Sequence, residues 1–355
     1  MYVDVKKRYA DFRLQVRTNF HEGITVLAGA SGSGKSTLLK MVAGFIKPDE
    51  GQVQLARRFL YHKTRGINIA PEGRGIGYVP QNYLLFPHLS VFENMAFGLR
   101  ARGRMTQKEI KRRVMEVAEL CKMSHLLDRH PTDLSGGEQQ RVALSRAIVI
   151  EPTVLLLDEP FSALDVQTRR LIRTEVKSIL ETASIPSILV THDPMDALTF
   201  GNEIYVMEDG KLVQKGPFQE LKSRPRSRFV AEFTGLNSYH GFAKKKGPNL
   251  LSVQLEKGGS LIAVGENEGQ VLVTIDPTDV VISSKKYPNS AQNCFPVTVL
   301  DITEDGSGRS RLVMKGDLEL TAKISVQALQ HLKIKPGNPV YAQIKATAIR
   351  VEPVR

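Results

Sequence analysis

Along the first 230 positions, short apolar runs alternate with longer segments of helical spacing. The runs are ITVLAG (24–29), IGYVPQ (76–81), VLLLD (154–158), SILVTH (187–192) and EIYVME (203–208). Several carry apolar residues at consecutive positions, which puts apolar groups on both faces of a strand, as in a buried parallel sheet. Between Thr106 and Leu127, the set Val114, Val117, Ala118 and Cys121 keeps the i, i+3, i+4, i+7 spacing of an amphipathic helix. A largely helical insert over about 85–150 is therefore predicted between strands. After Gly235 the helical spacing fades. Alternating segments such as LLSVQL, QVLVTID, FPVTVLDI, RLVMK and VYAQIKATAIRV recur between Gly, Pro, Asn and Lys clusters, the pattern of a small all-β domain. The turn-rich stretch 235–247 sets its boundary. Its two faintly similar halves, meeting near 285–293, are predicted to form one composite barrel.

A length of 355 residues fits two domains at roughly 150 residues each. No segment approaches the ~18 uninterrupted apolar residues of a membrane span, so the chain is not expected to cross a bilayer. The N-terminal MYVDVKKRYADF alternates apolar and charged residues and lacks the apolar core of a secretory signal, which predicts a cytosolic protein. Cys121 and Cys294 are far apart and without CxxC spacing, so neither a disulfide framework nor a zinc site is expected. The formal charge of +12 raises nucleic acid as a partner. The densest basic run, RARGRMTQKEIKRR (100–113), has no interleaved aromatics and leads into a helical pattern. It reads first as a solvated helix face, next as a patch for an anionic membrane surface, and last as a nucleic-acid site.

The chemistry starts where ITVLAG runs into Gly29-Ala30-Ser31-Gly32-Ser33-Gly34-Lys35-Ser36, followed by Thr37 and a helical pattern. This is a complete GxxxxGK[ST] in the strand–loop–helix context of a P-loop. Its glycines let backbone N–H groups curl around a β-phosphate, and the helix N-terminus adds its positive end. Lys35 supplies a charge to the β- and γ-phosphates, and Ser36 a hydroxyl for Mg²⁺. VLLLDEP supplies the second half: Asp158 to hold the Mg²⁺ hydration shell, and Glu159 to take a proton from the attacking water.

Leu134-Ser135-Gly136-Gly137-Glu138-Gln139-Gln140-Arg141 resembles the signature of ABC-transporter ATPases. Gln81 looks like the Q-loop glutamine, Ser162-Ala163-Leu164-Asp165 like the D-loop, and His192 in VTHD like the switch histidine, all in family order. The resemblance covers about 1–234. It implies an α/β P-loop NTPase core with an antiparallel β-subdomain and a helical subdomain. It also implies a head-to-tail homodimer, in which Ser135, Gly136 and Gly137 of one copy meet the γ-phosphate held by the other, with Asp165 counted among the nucleotide-binding residues. Gln81 would reach the Mg²⁺, and His192 would bridge γ-phosphate and water. An aromatic upstream of the P-loop would stack on adenine; Tyr9 and Phe12 compete, with Tyr9 favoured. ATP and Mg²⁺ are the cofactors implied.

Lacking membrane spans, the chain resembles importer rather than exporter cassettes, which implies separate permease subunits, indirectly a solute-binding protein, and a peripheral place on the cytoplasmic face of the membrane. FVAEFTGLNSYHG (229–241) and the β-rich tail resemble the junction to the OB-like regulatory (TOBE) domain of sugar, sulfate, polyamine, iron and molybdate importers, giving domains 1–234 and 235–355. RGINIAPEGRGIGYVPQ, with its PE-x-R segment, looks like the molybdate/tungstate importer ATPases. Ser290-Ala291-Gln292-Asn293 and KPGNPVYAQIKATAIRV are similar to the two ends of a molbindin-type unit, which implies a regulatory oxyanion site at Ser290, Asn293, Lys345 and Thr347. Gln292 stands where that pattern has arginine, removing one cation from the pocket. The other solutes of this importer group remain the alternatives. A repair or translation ATPase would show a coiled-coil insertion or a second cassette, and neither is present.

Overall fold

In the computed structural model, which describes residues 1–304 and 308–354, the chain opens with a hairpin. β1 (Tyr2–Arg8) pairs with β2 (Arg13–Asn19), and Tyr9 N–H donates to Phe12 O across the turn. Val3, Val5, Leu14 and Val16 are buried while their neighbours face out, so this sheet has one dry and one wet face. β3 (Ile24–Gly29) leads through the glycine-rich loop into α1 (Lys35–Ala43). β4 (Glu50–Leu55), β5 (Arg58–His62) and β6 (Ile67–Asn68) then complete the antiparallel sheet in the order β2-β1-β4-β5-β6.

β7 (Ile76–Val79) is followed by α2 (Val91–Arg102), α3 (Gln107–Leu120) and α4 (Gly136–Ile148), the helical insert expected over about 85–150. Each of these helices starts with a capping box, Ser90/Glu93, Thr106/Glu109 and Ser135/Glu138, which satisfies first-turn N–H groups and fixes the start. Val114, Val117, Ala118 and Cys121 are all buried, as their spacing predicts. The chain returns as β8 (Val154–Asp158), α5 (Val166–Ala183), β9 (Ser187–Thr191), α6 (Pro194–Phe200), β10 (Glu203–Glu208) and β11 (Lys211–Gly216). The second sheet has the order β11-β10-β3-β9-β8-β7, parallel except for β11. Its five parallel members are the five apolar runs, and every residue of β3, β8 and β9 is buried.

The chain divides into two compact units after Phe218. The second unit thus takes in most of α7 (Phe218–Ser223) and all of α8 (Arg228–Phe233), short helices upstream of the expected 234/235 boundary. Its strands are β12 (Asn237–Gly247), β13 (Leu250–Leu255), β14 (Ser260–Val264), β15 (Gly269–Ile275), β16 (Val281–Ser283), β17 (Asn293–Glu304), β18 (Arg309–Lys315) and β19 (Glu319–Ser325). After α9 (Val326–Leu332) come β20 (Pro339–Ile344) and β21 (Ile349–Pro353). Two antiparallel sheets, β14-β13-β12-β15-β21 and β16-β20-β17-β18-β19, enclose one core running from Ala243 to Val351 in an OB-like arrangement. The halves are interlocked: β21 joins the first half's sheet and β16 joins the second's. The segment 340–351 reads as one alternating run, but a 3₁₀ turn at Ala346–Ala348 splits it and sends its two pieces into different sheets.

Candidate nucleotide site

Four adjacent parallel strands, β3, β9, β8 and β7, end at one edge of the second sheet, and each delivers a segment of the motif set there. The loop after β3 closes on itself, with Ser33 N–H donating to Ala30 O at 3.2 Å. Gly34 caps α1 at φ +98°, a left-handed geometry that a side chain would strain. Lys35 is 4% exposed; its Nζ donates to Gly29 O at 2.9 Å, Ala30 O at 2.8 Å and Ser33 Oγ at 3.4 Å. Burial lowers its pKa, while nearby Glu159 and Asp158 pull it back up. The ammonium is thus held by neutral loop acceptors, with anionic oxygens its stronger partners. Ser31, Gly32 and Thr37 lie on the same loop and first helical turn.

Ser36 Oγ donates to Asp158 Oδ1 at 2.7 Å, and Tyr78 OH donates to Asp158 Oδ2 at 3.0 Å. A serine hydroxyl, a carboxylate and the side-chain amide oxygen of Gln81 are hard oxygen donors, the set that suits Mg²⁺. Glu159, the next residue, takes φ +47°, outside the usual range for a residue with a side chain. That turn re-aims it sideways: Glu159 Oε2 accepts from Gln81 Nε2 at 3.5 Å and lies 3.3 Å from His192 Nδ1. The structure therefore brings Gln81 and His192 to either side of the Glu159 carboxylate, the arrangement a general base between two water-orienting groups would need.

Ser135 caps α4, its hydroxyl donating to Glu138 Oε2 at 2.7 Å. Gly136 and Gly137 follow in the first turn, where N–H groups have no acceptor inside the helix. A Cβ on Gly137 would lie 2.8 Å from Ile172 Cδ1, so the absence of a side chain lets α4 approach α5 closely. Asp165 caps α5, accepting from Gln167 N–H and Thr168 N–H at 3.1 Å each; the Thr168 hydroxyl first, then these backbone N–H groups, hold its pKa low. Tyr9 is 41% exposed, whereas Phe12 leans on the loop, its Cζ 2.9 Å from where a Cβ on Gly34 would be.

Several contacts at the site escape sequence reasoning, because they join elements far apart in the chain. Arg146 of α4 donates to Leu84 O at 2.7 Å and Tyr83 O at 2.6 Å, gripping the segment after Gln81, and Tyr83 OH donates to Pro160 O at 3.0 Å. Arg173 of α5 pairs with Asp193 and Asp196, and Thr191 Oγ1 donates to Asp196 Oδ2, so the turn carrying His192 is anchored to α5. Local spacing carries no signal for either.

The tail corrects one expectation. Asn293 is 3% exposed, and its amide is spent on backbone: Oδ1 accepts from Ile262 N–H at 2.7 Å, and Nδ2 donates to Ile262 O at 2.8 Å and Ile344 O at 3.2 Å. It clasps β14 to β20 and has nothing left for an oxyanion. Ser290, Lys345 and Thr347 are exposed, and among the described residues no hydrogen bond or ion pair joins their side chains.

The family described as ABC transporter matches residues 15–162, and the TOBE domain matches 289–351. A molybdate/tungstate import ATP-binding protein of Pyrococcus abyssi is 39% identical over 356 residues, covering 98% of each chain. A sulfate/thiosulfate import ATP-binding protein of Bacillus cereus is 34% identical over 362 residues, covering 97% of this chain and 96% of the relative. The solved dimeric structure of a bacterial ABC transporter cassette superposes with a TM-score of 0.52 at 30% identity, covering 61% of this chain and 97% of the cassette. With its nucleotide loop, signature helix and convergent glutamate, the chain belongs to the ABC transporter family as an ATP-hydrolysing subunit that carries a TOBE domain.

Proposed function

We propose that this chain energises import of a tetrahedral oxyanion, molybdate or tungstate, beneath separate permease subunits on the cytoplasmic face of the membrane, with a solute-binding protein delivering the oxyanion from the other side. The similarity to the Pyrococcus abyssi protein over 98% of both chains, tail included, carries the choice of solute. Sulfate, another tetrahedral dianion, is the second reading, favoured by the Bacillus cereus relative.

In this reading Tyr9 stacks on adenine and the loop 29–37 cradles the phosphates, with Lys35 turning from its carbonyl partners to phosphate oxygens. Ser36, Gln81 and Asp158 would hold Mg²⁺, which when bound neutralises charge on the phosphates. Glu159 accepts the proton of the attacking water, and His192 orients that water against the γ-phosphate. Ser135, Gly136 and Gly137 face the γ-phosphate held by a second copy, so turnover requires the homodimer. Leu84 at 65% exposure and Phe97 at 49%, with the Phe86 ring tilted 42° against Phe97 at 4.6 Å between centroids, offer apolar surface on the segment after Gln81 and on α2 that fits a permease helix. Ser290, Lys345 and Thr347 are left as the tail's candidates for oxyanion feedback.

The test is ATP hydrolysis by the full chain assembled with its permease and binding protein. Molybdate or tungstate should stimulate it where sulfate at equal concentration does not. Stimulation by sulfate alone would select the second reading, and indifference to all three would refute an oxyanion importer.

A further inference from the structure

We propose that Tyr78 is a positioning residue for the Asp158 carboxylate, setting its affinity for the divalent ion; this rests on the reading of the nucleotide site given above. β7 and β8 run parallel with Tyr78 opposite Leu156. Side chains two apart on a strand share a face, so Tyr78, Leu156 and Asp158 all point to the side that carries α1. Leu156 and Tyr78 pack in the same apolar cluster as Leu38 and Leu39 of that helix. The Tyr78 ring sits one pleat behind the carboxylate, and its phenol reaches forward along the strand to Asp158 Oδ2 at 3.0 Å. Asp158 Oδ1 takes the Ser36 hydroxyl at 2.7 Å.

The two oxygens of this carboxylate, 5% exposed, are thus fixed by two different donors. The Ser36 side is the one a divalent ion would occupy, and the Tyr78 side holds the group's rotation. Among the described residues no other side chain donates to Oδ2. Phe45 meets the Tyr78 ring edge-on, centroids 5.2 Å apart at 73°, which keeps the phenol in place. Removing the hydroxyl leaves Oδ2 without a side-chain donor and the carboxylate held by Ser36 alone.

Carboxylates that ligate metal are themselves hydrogen-bonded, and losing that support costs about 10–100-fold in metal affinity. The experiment titrates Mn²⁺, followed by electron paramagnetic resonance, into the full-length chain saturated with a non-hydrolysable ATP analogue. Tyr78→Phe, which keeps the ring, should weaken Mn²⁺ binding by about 10-fold or more. Analogue binding in EDTA gives the second readout: a merely structural role for Tyr78 lowers nucleotide affinity with and without metal alike, whereas the positioning role acts through the metal. Unchanged Mn²⁺ affinity, or an equal loss in both readouts, overturns the proposal. Should Tyr78→Phe not fold, Phe45→Leu at the exposed neighbour loosens the same phenol and must weaken Mn²⁺ in the same sense. Failure of the unmodified chain to bind Mn²⁺ with the analogue would overturn the site reading itself, and this proposal with it.

Discussion

The proposed chemistry concentrates in one residue, Glu159. Its backbone is held at φ +47° by Glu159 N–H donating to Val190 O and by Ser162 N–H and Oγ donating to Glu159 O. A strained conformation kept by three hydrogen bonds at a motif position is what a group aimed at a reacting atom requires. Glu159→Gln keeps the shape and removes the base, so ATP hydrolysis should fall by about 10² to 10⁴ while nucleotide binding persists. Near-normal turnover in the purified complex would displace Glu159 from that role. Asn293 shows the opposite case, a residue singled out for binding that the structure uses for architecture. Asn293→Ala should strip three backbone groups of their side-chain partner, that of Ile344 fully buried, and destabilise the tail by about 1–3 kcal/mol, with no change in oxyanion affinity measured by calorimetry on the full chain. Motif residues were legible in sequence because phosphate chemistry demands fixed spacing. Asn293 was misread because buried clasps and ligands use the same amide.

At the scale of elements, the parallel strands were legible because burial on both faces leaves an apolar run that nothing else in the chain imitates. The break at 346–348 was not, since each half of VYAQIKATAIRV alternates correctly and only the pairing partners differ. The PE-x-R segment also gains its meaning only in three dimensions. Arg74, 2% exposed, donates to Met41 O and Val42 O at the C-terminal end of α1, and to Ile69 O and Asn68 Oδ1. It closes the far end of the helix whose near end carries Lys35, a favourable place for a cation. Arg74→Lys keeps the charge but cannot span four acceptors set for a planar fork. We expect a loss of about 1–3 kcal/mol, read as a fall in the melting temperature of several degrees; an unchanged melting curve would mean the fork is dispensable. The apolar surface after Gln81 belongs to this scale too. A cysteine at Leu84 should crosslink to a permease loop, and crosslinks from the tail alone would contradict that docking face.

For the whole molecule, the proposed phosphate and metal groups come from four strand ends of one unit and the proposed adenine contact from its β1–β2 turn, while the proposed γ-phosphate contact of Ser135 needs a second copy. Glu159→Gln with ATP should therefore convert monomer to dimer in light scattering, and a monomer at saturating ATP would contradict the head-to-tail arrangement. Two of the cations behind the +12 charge are spent on neutral acceptors inside the fold, Arg74 on Met41 O and Val42 O and Arg146 on Tyr83 O and Leu84 O. Hydrolysis at Glu159 driving oxyanion entry is the central claim. Vesicles bearing the full complex, with ATP on the side of this chain and labelled molybdate opposite it, test that claim in one measurement. The account predicts ATP-dependent accumulation that tungstate competes away and that Glu159→Gln abolishes; accumulation equal in the Glu159→Gln complex, or absent with the unmodified chain, would contradict it.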